Sequence, residues 1–349
     1  MPWQRSSRGP GPAGPVLPQS ARRAYATRPR HAALDPDGQH LLRFRTTVLE
    51  QRRSAMPRLA VLGSALHYLD EGKGDPIVFL HGNPTSSYLW RHVIPVLADQ
   101  GRCLAPDLIG MGESDKPELE YTFLEHAQYL DGWFDALELS NITLVVHDWG
   151  SALGIYWARR HPGRVRALAM MEPIVEAIGW DDFIPPMVEL FQGFRTPGVG
   201  EQMILEANMF VEKVLPAAIL RRLSADEMNV YRAPYLEPRF RKPTLAWPRQ
   251  LPIAGEPPEI IEIIEESATW LAQSAVPKLL LTFEPGALLD AAAVERVSAK
   301  MANLELRKIG PGLHYVQEDH PREIGEAVRD WRRRVLASAG DGHGHHDQR

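Results

Sequence analysis

Cysteine is almost missing: Cys103 is the only one in 349 residues. That excludes an intramolecular disulfide framework, and a cysteine-rich zinc site as well. Long apolar runs are also missing. None approaches the roughly 18 consecutive apolar residues of a membrane-spanning helix, so no membrane insertion is expected. Positive charge is not in excess, since 39 Lys and Arg stand against 44 Asp and Glu, a net charge of -5. Nothing electrostatic points to nucleic acid as a partner. The rest of the composition, 44% hydrophobic and 24% charged, is that of an ordinary globular chain long enough for one large or two smaller domains.

The charge is uneven. Arg5, Arg8, Arg22, Arg23, Arg28 and Arg30 fall in the first 34 residues, which hold no acidic residue, so the remainder carries -11. This start is rich in Pro, Gly and Ser and has no apolar core of a secretory signal. Three readings fit residues 1–55: a disordered extension, an over-extended start with Met56 as the true first residue, or an organellar transit peptide. The expected location is cytoplasmic, or organellar under the third reading. Residues 337–349 (ASAGDGHGHHDQR) read as a solvated tail, although His343, His345 and His346 sit close enough together to catch a metal ion adventitiously.

Between the ends, short apolar runs alternate with helical patterns. PRLAVLG and SALHYLD read as a hairpin. PIVFLHG, RCLAPD, ITLVVHDWG and ALAMMEP read as buried strands, and PKLLLTF and LELRKIG return later. Continuous buried strands separated by helices predict a mostly parallel sheet covered on both faces. From 176 to 252 no strand is expected. That segment, rich in Pro, Trp, Phe and Met, reads as an inserted helical cap, with core segments 56–175 and 253–336 around it and a last helix from about Arg322 to Leu336.

Ligands of such sheets bind beyond the carboxyl ends of the strands. There the sequence places Asn83, His147-Asp148-Trp149, Glu172, Glu284 and His314. Val146-His147-Asp148-Trp149-Gly150 has the strand–turn–helix layout of a nucleophile elbow, with Asp148 in the serine position and Val146 in place of the first glycine. An Asp there also suits the cap of the following helix. A carboxylate nucleophile displaces a leaving group from saturated carbon and forms an alkyl ester on the enzyme. A histidine then activates water against that ester, and a second carboxylate orients the histidine. His314 fits the first of these roles. His81 and His147 flank the site and read as structural.

HGNPTSSYLWR, PDLIGMGESDKP, HDWGSALG and GPGLHYVQED resemble the haloalkane dehalogenases of the α/β-hydrolase superfamily. The likeness runs on through the cap in FQGFR, FVEKVLP and RKPTLAWPRQLPIAGEP and spans about residues 57–336. It implies an α/β-hydrolase fold with an eight-stranded sheet and a helical cap. It implies Asp148 as nucleophile, His314 as base and Glu172 as its acid, with Glu284 the rival for that last role. It assigns halide to the Trp149 indole and the Asn83 amide, whose fixed N–H donors meet developing negative charge without neutralising Asp148. It gives an apolar pocket from Trp180, Phe183, Phe191, Phe210, Val214, Pro248, Leu251 and Leu288. Partners implied are a small haloalkane, water and halide, with no metal or organic cofactor, and the chain is expected to be a monomer. Two other activities share this machinery. Epoxide hydrolases need cap tyrosines, for which Tyr231 and Tyr235 are available, and coelenterazine-type luciferases need a cavity large enough for a bulky aromatic luciferin.

Overall fold

The computed structural model describes the backbone of residues 57–341 and the side chains of residues 57–337. The arginine-rich start and the three-histidine cluster lie outside the described residues.

Eight strands form one sheet: β1 (Arg58–Val61), β2 (Ser64–Glu71), β3 (Pro76–Leu80), β4 (Arg102–Pro106), β5 (Ile142–Asp148), β6 (Val165–Pro173), β7 (Lys278–Pro285) and β8 (Leu304–Gly312). Their spatial order is β1-β2-β4-β3-β5-β6-β7-β8. β2 pairs antiparallel with β1 and with β4, and all other neighbours are parallel. Every residue of β5 is buried, as a central parallel strand with both faces covered requires. At the far edge β8 alternates charged and apolar residues and stays largely half-buried, which blunts the exposed ladder.

The α-helices include α1 (Phe123–Ala136), α2 (Trp149–Arg160), α3 (Pro185–Arg195), α4 (Ala225–Arg232), α5 (Lys242–Gln250), α6 (Pro258–Gln273), α7 (Ala291–Ser298), α8 (Val316–Asp319) and α9 (Pro321–Asp341). Thr122 starts α1 with a capping box: its hydroxyl accepts from the Glu125 amide while Glu125 reaches back to the Thr122 N–H. In α9, Ile324, Ala327, Val328 and Trp331 repeat at helical spacing and are all buried. α9 continues five residues past the expected helix end at Leu336. The small residues Ala-Ser-Ala look like a tail, but alanine is the best helix former. None of the described helices is long and apolar enough to cross a membrane.

Between β6 and α6 the chain is helical, as expected. A single bridge between Ile178 and Ile253 closes the base of this excursion. Two short π-helical stretches, Glu201–Glu206 and Phe210–Val214, follow α3, and no sequence signal announced them. An ionic cluster fastens the cap to the core. Buried Glu318 of α8 accepts from Arg91 (2.6 and 2.8 Å), and also from Arg221 and from the Tyr231 hydroxyl of the cap. Glu227 closes the cluster by accepting from Arg91 (3.0 Å) and Arg221 (2.7 Å). The amides of Leu220 and Arg221 donate to Asp319, and those of His314 and Tyr315 donate to the Ala218 carbonyl. The segment carrying His314 is therefore tied to the cap at several points.

Candidate active site

Asp148 ends β5 and caps α2 with φ 50° and ψ -133°, a conformation that a non-glycine residue holds only when its surroundings impose it. The neighbours do so. The Ser151 hydroxyl donates to the Asp148 carbonyl (2.5 Å) and accepts from the Ile174 amide (2.8 Å), stitching the turn to the end of β6. A side chain at Gly150 would overlap the Leu80 carbonyl, and one at Gly82 would overlap the Asp148 carboxylate. Glycine is required at both because strand ends and nucleophile approach so closely.

Asp148 is 8% exposed. Oδ1 accepts from the backbone N–H of Asn83 at 2.8 Å, and Oδ2 lies 3.2 Å from His314 Nε2. On the other side of the ring, His314 Nδ1 lies 3.4 Å from Glu172 Oε2. Glu172, next to last in β6, has φ 44° and is 2% exposed. The same Oε2 accepts from the amides of Ala287 (3.0 Å) and Leu288 (2.7 Å), which hold the carboxylate in place. The rival Glu284 points elsewhere: it is exposed and paired with Lys308.

The charges fit this line of three. Burial by itself raises Asp148, but hydrogen bonding to and charge on His314 outweigh it and hold the carboxyl below its ordinary range. Burial by itself depresses His314, yet the carboxylates of Asp148 and Glu172 outweigh it and push the imidazole up to about 9. The resting pair is an ionised carboxylate beside an imidazolium.

His81 and His147 hydrogen-bond to backbone groups. The His81 ring accepts from the Leu108 amide (3.0 Å) and donates to the Gly82 carbonyl (2.9 Å). His147 donates through Nε2 to the His314 carbonyl (2.9 Å), so it supports the base from behind. Burial, then the charge on His314, pushes His147 down to about 3. Burial likewise pushes His126 to about 3. His126 is stacked on Trp247 (4.3 Å between ring centres), which is stacked on Trp149 (4.6 Å), and among the described residues neither of its ring nitrogens has a partner. Both histidines are neutral when folded, whereas an unfolded histidine takes up a proton below about pH 6.5. Folding stability is therefore expected to fall as pH drops from 6.5 toward 3. His126→Phe keeps the stack and removes one titrating group. It is expected to stabilise by about 2 kcal/mol at pH 5 and by much less at pH 8. Thermal unfolding at the two pH values checks this, and an equal effect at both would refute it.

The nucleophile opens into a cavity of about 530 Å³. Asn83, Asp148, Trp149 and His314 line its floor, and Phe183, Phe191, Phe210, Val214, Pro248, Leu251 and Leu288 line its walls. Of the expected pocket residues only Trp180 is not in the wall. It opens a short turn, and its ring lies 6.1 Å from the Phe183 ring and 6.0 Å from the Arg195 guanidinium. Sequence reasoning missed Ile184, Met187, Leu313 and Tyr315, and the two rim carboxylates Asp182 and Asp290. It also missed the backbone N–H of Asn83, which no side-chain pattern encodes. Tyr231 and Tyr235 do not line the cavity: the first donates to Glu318, and the second is fully buried with its hydroxyl unpartnered among the described residues.

The α/β hydrolase fold family matches residues 75–321. A haloalkane dehalogenase of Mesorhizobium japonicum is 47% identical over 80% of this chain and 91% of its own length. One from Sphingobium indicum is 48% identical over 79% of this chain and 95% of its own. Among solved structures, the haloalkane dehalogenase DbeA from Bradyrhizobium elkani superimposes with a TM-score of 0.80 at 45% identity, covering 81% of this chain and 99% of that one. DatA from Agrobacterium tumefaciens C58 does so with a TM-score of 0.78 at 43% identity, covering 80% and 96%. Sequence likeness of this extent and superposition of the whole cap-bearing fold agree: the chain belongs to the haloalkane dehalogenases of the α/β-hydrolase fold.

Proposed function

We propose that this enzyme hydrolyses carbon–halogen bonds of haloalkanes through an ester on Asp148. The observation that carries the reading is the buried line Asp148–His314–Glu172 at the floor of an apolar cavity, with the Trp149 indole and the Asn83 amide beside the nucleophile. Oδ1 of Asp148 is engaged by a backbone N–H, which leaves Oδ2 to attack the saturated carbon. A C–O bond forms, and the C–X bond breaks with its electron pair leaving on the halide. The Trp149 and Asn83 N–H groups receive that halide.

Esterification removes the negative charge of Asp148. One of the two carboxylates that raise His314 is then gone while its burial remains, so the imidazole drops and becomes a base. It takes a proton from water, and the oxygen adds to the ester carbonyl. The negative charge that develops on the carbonyl oxygen meets the backbone N–H groups of Asn83 and Trp149. Collapse releases the alcohol and restores the carboxylate, with one proton delivered to solvent per turnover.

The test is release of halide and proton from 1-bromobutane, 1-iodohexane and 1,2-dibromoethane by the folded enzyme at neutral to mildly alkaline pH. Turnover is expected on these substrates, and none on any of them would overturn the reading. The epoxide reading loses its acid, because neither Tyr231 nor Tyr235 reaches the cavity. A luciferase reading is left by the cavity, whose volume of about 530 Å³ exceeds what a short haloalkane fills. Light emission on mixing with coelenterazine tests that directly.

A further inference from the structure

The cavity is larger than a short haloalkane needs. At about 30 Å³ per heavy atom, 1-bromobutane fills on the order of 150 Å³, against about 530 Å³ available. The unused walls are apolar. A ladder of rings from Phe183 to Phe191 (5.5 Å between centres), on to Phe194 (5.7 Å) and Phe210 (5.5 Å), runs through the cap side. Polar groups stand only at the two ends.

At the rim those groups share one sign. Asp182 and Asp290 are the charged residues of the lining apart from Asp148 and His314 on the floor, and the lining contains no Lys or Arg. Both rim carboxylates are exposed. Each spends one oxygen on a local backbone N–H: Asp182 on Gly179 (2.6 Å) and Asp290 on Ala293 (2.8 Å). The neighbouring cation Arg296 feels both of them, but its guanidinium is bound to Glu176 (2.9 and 2.7 Å), and Lys300 lies 3.6 Å from the same Glu176. Both cations are turned to Glu176, and none of these three residues lines the cavity.

We propose that the enzyme's preferred substrate is an extended haloalkane, with an apolar body well beyond butyl and a neutral or cationic far end, and that the rim disfavours ω-halocarboxylates. This rests on the dehalogenase reading above. A chain that lengthens into the cavity buries its methylenes against the phenyl rings, and a far-end ammonium arrives beside Asp182 and Asp290. A far-end carboxylate meets like charge with no cation in the lining to pair with.

The experiment measures bromide release in two series. The first runs from 1-bromobutane to 1-bromodecane. The second compares matched eight-carbon chains ending in methyl, trimethylammonium and carboxylate. In the first, kcat/KM is expected to rise by about three- to four-fold per methylene until the cavity is filled. In the second, the ammonium is expected to exceed the carboxylate by about ten-fold or more at low salt, with the ratio shrinking at high salt. Asp182→Asn combined with Asp290→Asn keeps both local acceptors and is expected to bring that ratio close to one. A flat chain-length series, or equal rates for ammonium and carboxylate, overturns the proposal while bromoalkane turnover stands. Absence of bromide from every neutral bromoalkane instead overturns the underlying reading, and this one with it.

Discussion

Asp148→Asn loses bromide release by about 10⁴-fold or more, the scale of deleting one member of a catalytic triad. The amide occupies the same volume, and its oxygen still accepts the Asn83 N–H that now holds Oδ1. What disappears is the charge and the nucleophilic Oδ2 facing His314 at 3.2 Å. A second consequence separates this explanation from damage to the fold. His314 is held up at about 9 by two carboxylates, and the variant removes one of them. Its titration, followed by the imidazole proton signals, is expected to move down in the variant while thermal unfolding remains cooperative. Normal turnover by the folded variant would remove Asp148 from the mechanism.

The same coupling gives the pH behaviour of the parent enzyme. In the resting state His314 is protonated across neutral pH and shares its proton with Asp148 Oδ2. Raising the pH through about 9 removes that proton and leaves Oδ2 a stronger nucleophile. The fold loses something in that step. The folded imidazole sits above the roughly 6.5 of an unfolded one, so its stabilising contribution is full below that pH and is lost as pH rises through about 9.

The sheet was legible because its central strands are continuous apolar runs, and such runs have few alternatives. The position of Asp148 was legible for a related reason: a buried strand that ends in charge and passes directly into a helix brings a side chain to the edge of the sheet. Glu172 against Glu284 was not settled by pattern, since both follow a strand and precede Pro. Three-dimensional partners separate them: the amides of Ala287 and Leu288 for one, Lys308 for the other. The cap fastening was invisible. Arg91, Arg221, Glu227, Tyr231 and Glu318 come from distant parts of the chain, and each by itself reads as a surface or helical residue. Trp180 was misplaced because aromatic character predicts packing against something and does not say that the something is a cavity.

His314→Phe converts the enzyme to a single-turnover reagent. The ring fills the space of the imidazole, and Asp148 keeps its Asn83 N–H, the halide donors and an unobstructed Oδ2, so the first displacement proceeds. The second step has no base. His147 does not substitute, since its Nε2 is committed to the backbone carbonyl of residue 314 and burial keeps it near 3, too weak a base to take a proton from water. His81 has both ring nitrogens engaged by backbone groups. With 1-bromobutane, one equivalent of bromide is expected in a burst with no steady state after it. Intact-protein mass spectrometry is expected to show the added butyl group, and peptide mapping to place it on Asp148. The variant also removes the imidazolium that now lies against Oδ2, so the burst is expected to be independent of pH near 9. Repeated turnover by this variant would mean that another group activates the water. A missing burst, with the fold intact, would mean that His314 is needed for the displacement itself.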